Sequence, residues 1–355
     1  MRVLVTGHKG YIGSVLVPML QQRGHEVLGL DSDLYRRCTF GDGLPECPSL
    51  QKDIRDVTLE DVRGVDAVIH LAALSNDPLG NLDPELTYEI NHRASVRLAK
   101  LGKRAGVPRF LFSSSCSIYG ASGEELVDET SQFRPVTPYG KSKELVERDL
   151  RKLADESFTP VFLRNATVYG VSPRLRFDLV LNNLVAWAFT TGKVHLKSDG
   201  TPWRPIVHVE DVCRAFVCLL EAPREKVHNE AFNVGQTKEN YRIRDLAYIV
   251  RDVVPNAEVE LSPGAGPDKR CYRVNCDKLP RVIPEFRPKW DAQKGAQELH
   301  KTYRRYGLAL EEFEGPRYKR IDHVKMLLSE GILDSNLRWT NGTTCLLYTS
   351  PSPRD

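Results

Sequence analysis

Tyr139 and Lys143 stand four residues apart in YGKSK, one helical turn, so the two side chains share a face. A phenol ionises near about pH 10 and needs help to act as a base at neutral pH. An ammonium one turn away favours the phenolate, as does an oxidised nicotinamide. Ser115, in the serine-rich stretch SSSCSIYG at 113–120, can hydrogen-bond the same substrate hydroxyl and share its proton. The three point to oxidation of an alcohol, which needs a hydride acceptor. Thr6-Gly7-His8-Lys9-Gly10-Tyr11-Ile12-Gly13 offers its seat. Gly7, Gly10 and Gly13 let the backbone turn tightly and approach a pyrophosphate, which the following helix N-terminus favours. Asp31 ends the next strand, where a carboxylate accepts both hydroxyls of an adenosine ribose and repels a 2′-phosphate. That favours NAD, while Arg36 and Arg37 nearby keep NADP open.

The elements that must position these groups alternate. Short β-rich runs fall at Val3–Val5, Glu26–Leu30, Asp66–His70, Arg109–Ser113 and Pro160–Leu163, with helical patterns at Ser14–Arg23, His92–Arg104 and Tyr139–Leu153. This alternation predicts a parallel, doubly wound α/β sheet, and the continuously apolar strands fit burial on both faces. Past Val168 the pattern becomes irregular. A helix at Phe177–Phe189, a strand at Pro205–Val207, a helix at Val209–Leu220 and a sheet strand at Ala231–Gly235 predict two interleaved domains. The nucleotide-binding one spans 1–167 with segments returning at about 205–236. A smaller α/β substrate domain takes 168–204 and 237–344. Ser262–Pro267 reads as a loop, and Ile321, Val324, Leu327 and Leu328 give Arg320–Gly331 an amphipathic helical pattern.

Composition narrows the class. With 355 residues, 41% hydrophobic and 27% charged, the chain can bury a sizeable core. A net charge of +3 without a basic, aromatic-interleaved run argues against nucleic acid. No apolar segment approaches membrane-spanning length. Arg2-Val3-Leu4-Val5 reads as a first strand, not a signal peptide. Eight cysteines without a C-x-x-C pair fit reduced thiols in the cytoplasm and no zinc. The terminal CLLYTSPSPRD, 345–355, matches the in-frame translation of a transposase sequencing adapter and is expected to be a library artefact.

Taken together, the motifs resemble an extended short-chain dehydrogenase/reductase of the NAD-dependent epimerase/dehydratase family, over about residues 1 to 310. The resemblance implies a Rossmann-type NAD domain, a nucleotide-sugar substrate and a homodimer paired through the helices after Asn91 and Tyr139. TGHKGYIG, including Tyr11 and Ile12, resembles the family's glycine loop. Asp53-Ile54 resembles its adenine-contacting pair, and His70-Leu71-Ala72-Ala73 its cofactor-lining strand end. Asn91 resembles the asparagine supporting the active site. Ser115, Tyr139 and Lys143 match the catalytic trio, with Ser113, Tyr139 and Lys143 also against the cofactor. Ser75, Ser115, Cys116, Ser117, Thr167, Asn183, Leu184, Arg204 and Arg270 fall at substrate positions.

Relatives that remove water between sugar carbons 5 and 6 carry an Asp-Glu pair just after the position of Ser115, an acid and a base with separated pKa values. Here Cys116 and Ser117 stand there. Neither suits that step, so a 4,6-dehydratase is disfavoured. Relatives that act as 3,5-epimerases use a cysteine one position nearer the tyrosine, and alternation along a strand makes that offset matter. Small residues here resemble 4-epimerases. A 4-ketoreductase or dehydrogenase would use the same residues, and a non-catalytic dinucleotide-binding scaffold is the reading from another class.

Overall fold

The computed structural model describes residues 1–196, 198–261 and 271–340. In chain order the strands are β1 (Arg2–Thr6), β2 (Glu26–Asp31), β3 (Ser49–Gln51), β4 (Ala67–His70), β5 (Arg109–Ser115), β6 (Ala121–Val127) and β7 (Thr159–Asn165). There follow β8 (Thr167–Tyr169), β9 (Lys193–Leu196), β10 (Trp203–His208), β11 (Ala231–Val234), β12 (Asn240–Arg242), β13 (Glu258–Leu261) and β14 (Cys271–Val274).

Seven of them form one parallel sheet in the order β11-β7-β5-β4-β1-β2-β3. Apolar runs such as Val3–Val5 and Val161–Leu163 are fully buried because helices cover both faces. Leu16 and Leu20 of the helix Gly13–Gln22 and Phe216 of the helix Val209–Glu221 pack on one face. Leu98 of Ala94–Arg104 and Val146 and Leu150 of Pro138–Arg151 pack on the other. Each such side chain contributes about 1.5–3 kcal/mol by leaving water.

Since β2 and β4 flank β1 on opposite sides, the winding reverses there and leaves a crevice at the carboxyl ends of the strands. The register aligns Thr6 with Leu30 and His70, and His70 with Phe112. Gly7, Asp31, Leu71 and Ser113 therefore all fall one residue past a single row.

Smaller sheets build the second layer: β12-β10-β8, β13-β9 and β14-β6. The strand expected at Pro205–Val207 lies in the first of these and not in the large sheet. Ala166 alone separates β7 from β8, so the chain crosses between sheets there, and Ile206–His208 pair with Thr167–Tyr169. The helix Val209–Glu221, Val227 and β11 return to the large sheet.

Where a helix is expected from His92, a π-helical turn, Glu89–Arg93, leads into Ala94–Arg104. The terminal helix runs Arg320–Ser329 and buries Val324 and Leu327 in the cluster that holds Leu86 and Ile90. Among the described residues no helix is long and apolar enough to cross a membrane.

Candidate active site

The glycine loop is tight enough to exclude side chains. Gly7 has φ +75°, and a Cβ there would lie 2.8 Å from the Ala72 amide nitrogen. A Cβ on Gly13 would lie 2.2 Å from the Gly7 carbonyl oxygen. The Gly10 amide donates to that same carbonyl at 2.9 Å. The Tyr11 hydroxyl donates to the Gly170 carbonyl at 2.6 Å and ties the loop to the second layer. Asp31 accepts the amides of Lys9 at 3.0 Å and Asp33 at 2.8 Å, which fixes its carboxylate on the crevice wall; burial pushes its pKa up.

Asp53 accepts from the Arg55 amide at 2.8 Å and from its guanidinium at 2.9 and 2.7 Å, and Ile54 is buried beside it. Under Leu71-Ala72-Ala73 lies His70, 2.6 Å from the Thr6 hydroxyl and 2.7 Å from that of Ser95. Burial drives this imidazole down to about 3, so it is neutral at physiological pH.

Backbone alternation sorts the serines of β5. Ser114 turns away and donates to Glu147 at 2.6 Å, while Ser113 and Ser115 face the crevice. Ser115 accepts the Ser117 amide at 3.1 Å and its hydroxyl donates to that of Ser117 at 3.1 Å, and it shares the cleft wall with Tyr139. Thr137 caps the helix Pro138–Arg151, accepting the Gly140 amide at 3.2 Å and donating to Asp77 at 2.7 Å. Lys143 donates to the Ser113 carbonyl at 2.7 Å, and its Nζ is 5.8 Å from the Tyr139 ring centre.

The electrostatics differ from the expectation of a phenol lowered by this lysine. Burial pushes Tyr139 up to about 12 against the opposing Ser115 hydrogen bond. Burial also pushes Lys143 down to about 7 against the attraction of Glu147. The polypeptide by itself thus holds the phenol protonated, because desolvation outweighs an amine already turned to a carbonyl.

These groups line one cleft of about 400 Å³ with Gly7, Gly10, Tyr11, Ile12, Gly13, Asp31, Asp53, Ile54, Leu71, Ala72, Ala73, Ser75, Ser117, Thr167 and Arg204. Four expected residues do not line it. Asn91 is buried and holds the Leu74 amide at 2.8 Å, the Leu74 carbonyl at 3.0 Å and Ser142 at 3.2 Å; it supports the wall and does not face a cofactor. Cys116 is buried with its thiol donating to the Arg164 carbonyl at 3.2 Å, and burial pushes its pKa far up, so it packs and does not reach substrate. Asn183 donates to the Phe177 carbonyl at 2.9 Å, and Leu184 belongs to the core of the second layer. Arg270 and the loop Ser262–Pro267 lie outside the described residues, as does the adapter-like tail.

Sequence reasoning missed Arg176, Asp178, Arg320 and Leu337, which line the cleft together with Tyr272. Arg176 pairs with Asp178 at 2.6 Å and donates to Ser75 at 3.1 Å. A usable signal was Asn76-Asp77-Pro78, a helix start in which Asn76 caps at the Leu79 amide and also binds Asp178. Arg36 and Arg37, which left NADP open, are both engaged: Arg36 stacks 4.0 Å from the Trp339 ring centre and Arg37 pairs with Glu330 at 3.0 Å.

Sheet order, a glycine-rich loop at the switch point and a carboxylate on the crevice wall at the end of β2 define a Rossmann-type dinucleotide fold. Gly7 and Gly13 let the loop pack against Ala72 and against its own backbone while Gly10 and Ile12 border the cleft, and Asp31 keeps acceptor capacity toward it. Gly7, Gly10, Ile12 and Asp31 would hold the dinucleotide's phosphates and ribose.

The profile of the NAD-dependent epimerase/dehydratase family matches residues 3–235, and the chain belongs to that family. It is 31% identical over 308 residues to UDP-glucose 4-epimerase of Neisseria meningitidis serogroup C, covering 76% of this chain and 88% of that protein. Identity to UDP-glucuronic acid decarboxylase 1 of Arabidopsis thaliana is 26% over 328 residues, covering 89% of this chain and 72% of that one. The solved Thermus thermophilus UDP-glucose 4-epimerase complex with NAD superposes at TM-score 0.71 and 27% identity, covering 86% of this chain and 99% of the other. The protein is an NAD-dependent nucleotide-sugar enzyme, which sets aside the scaffold reading.

Proposed function

We propose that the protein epimerises a nucleotide sugar at C4 by transient oxidation. The observation carrying this reading is the shared cleft wall of Ser115, Tyr139 and Lys143, with Ser117 beside them and Cys116 turned away. No acid/base carboxylate pair follows Ser115 on that wall. NAD supplies the acceptor for the C4 hydride and its return. With the burial that holds Tyr139 protonated offset by the positive charge of the bound oxidised nicotinamide, Tyr139 takes the C4 hydroxyl proton as a phenolate steadied by Lys143, while Ser115 orients the hydroxyl. Thr167 and Ser75 hold the sugar, while Arg204 takes the nucleotide's phosphates as a fixed cation. Small side chains at the end of β5 leave room for a 4-keto sugar to turn over before hydride returns.

A panel of UDP-, dTDP-, GDP- and CDP-sugars, with products resolved by chromatography, tests the proposal. Interconversion of a C4 pair without net NADH change is expected. A 4-keto-6-deoxy product, or stoichiometric NADH consumption, would defeat it. Likeness to a UDP-glucuronic acid decarboxylase favours one second reading, for which release of carbon dioxide from UDP-glucuronate is the sign. We also infer a cytoplasmic homodimer paired through Ala94–Arg104 and Pro138–Arg151, which carry half-buried Val96, Leu101 and Leu145; a monomeric mass by light scattering would refute it.

A further inference from the structure

The terminal segment lies beyond the stretch matched by the family profile, yet Arg320 and Leu337 line the cleft. Arg320 is 2% exposed. Its Nη2 donates to the Arg174 carbonyl at 2.9 Å, and its Cζ lies 4.0 Å from the Tyr35 ring centre. Its Nη1 is buried without a hydrogen-bond partner. No carboxylate among the described residues forms an ion pair with it. Asp178, whose charge reaches it, is held by Arg176 and Asn76, and Asp33 is held by Arg174 and Lys9. A buried guanidinium without a counter-charge is costly, so one kept at a cleft wall calls for an anion from outside the chain. The neighbours say which. Tyr35 ties Arg320 to the loop after β2, next to Asp31. Arg204, by contrast, packs against Tyr272, which shares the cleft wall with Ser117 beside the catalytic strand.

Leu337 adds a second, independent observation. Its φ is +57°, a left-handed conformation that strains a bulky residue. Asp334 holds the turn by accepting the amides of Asn336 at 2.9 Å and Arg338 at 2.8 Å. Arg55, itself gripped by Asp53, donates to the Asn336 carbonyl at 2.9 Å, and Trp339 donates to the Ser32 carbonyl at 2.6 Å. The strained turn is thus fastened to the residues that line the adenosine side, and it presents Leu337 to the cleft with Ile54.

We propose that residues 320–340 are a cofactor clamp, in which Arg320 pairs with the diphosphate of the dinucleotide and Leu337 closes over its adenine. The clamp rests on the NAD site alone, whichever sugar reaction follows. Calorimetric titration of wild type, Arg320→Gln and Leu337→Gly with ADP-ribose, UDP and, by competition, adenosine tests it. Arg320→Gln should weaken ADP-ribose by about tenfold to a hundredfold, the worth of a charged hydrogen bond, and leave adenosine unchanged. Leu337→Gly, which relieves the φ, should weaken adenosine and ADP-ribose alike. Unchanged ADP-ribose affinity in Arg320→Gln overturns the proposal, as does a loss confined to UDP, which would assign the anion to the sugar nucleotide. Unchanged adenosine affinity in Leu337→Gly overturns the adenine contact. Hydrogen exchange on wild type decides independently of whether a variant folds: ADP-ribose should slow exchange across 320–338 where UDP does not, and no added protection there overturns the clamp.

Discussion

The catalytic end of the cleft and its adenosine end are assembled over very different spans of chain. Lys143 reaches the Ser113 carbonyl across a separation of 30 residues, whereas Arg55 reaches the Asn336 carbonyl across 281. Behind the catalytic wall, Arg164 and Glu147 form an ion pair at 2.7 Å with side chains 2% and 1% exposed, and the pair also engages Ser114 and Tyr119. The adenosine side is closed instead by pairs such as Arg338–Asp56, 38% and 49% exposed. A buried, fully bonded network holds one geometry, while exposed pairs add little and can open locally. Chemistry needs the first property and cofactor entry needs the second.

The contrast breaks most sharply at the catalytic wall. Tyr139→Phe should lower kcat by about 10²–10⁴-fold, the typical worth of a general base, with NAD binding retained; activity within a few-fold of wild type would remove the proposed base. Arg164→Ala leaves the buried Glu147 with only the longer contact to Arg151 at 3.9 Å as counter-charge, and denaturant unfolding should show a loss of about 3–5 kcal/mol. The double change Arg164→Met with Glu147→Leu should recover most of it.

Lys143 sharpens the comparison through pH. It titrates at about 7 in the fold and near about 10.4 when unfolded. Between those values the unfolded chain holds more protons, so this group's contribution to stability rises with pH. Lys143→Met should flatten the increase of Tm from pH 7 toward 10, and an identical slope would mean that the amine is not desolvated. The smallest effect belongs to Arg338→Ala: about 0–1 kcal/mol of global stability, yet faster hydrogen exchange across residues 320–340.

The same difference in span decided what the sequence disclosed. Gly7 to Gly13, Asp31, Ser115, Tyr139 and Lys143 each sit at the end of a strand or the start of a helix, so period and spacing located their elements to within a few residues. Whether Cys116 faced substrate could not be settled by strand alternation, because β5 ends at Ser115 and a 3-10 turn, Cys116–Tyr119, follows. Asn183 and Leu184 fail for a related reason: their helix begins at Val180 and turns them toward Phe177 and the core. The part played by Arg320 and Leu337 was invisible, since an amphipathic helix announces an apolar face and says nothing of the cleft its first residue borders. The left-handed backbone at Leu337 carries no compositional mark at all.

One surplus residue in the π-helical turn at Glu89–Arg93 sets the rotational phase of two supports at once. Asn91 reaches across to Leu74 and Ser142, and Ser95, whose hydroxyl also donates to the Asn91 carbonyl, reaches the imidazole of His70. Deleting a single position there would swing one of them by roughly 100° about the helix axis relative to the other. The floor beneath Leu71–Ala73 and the helix bearing the tyrosine would then fall out of step, though no residue of either had been altered.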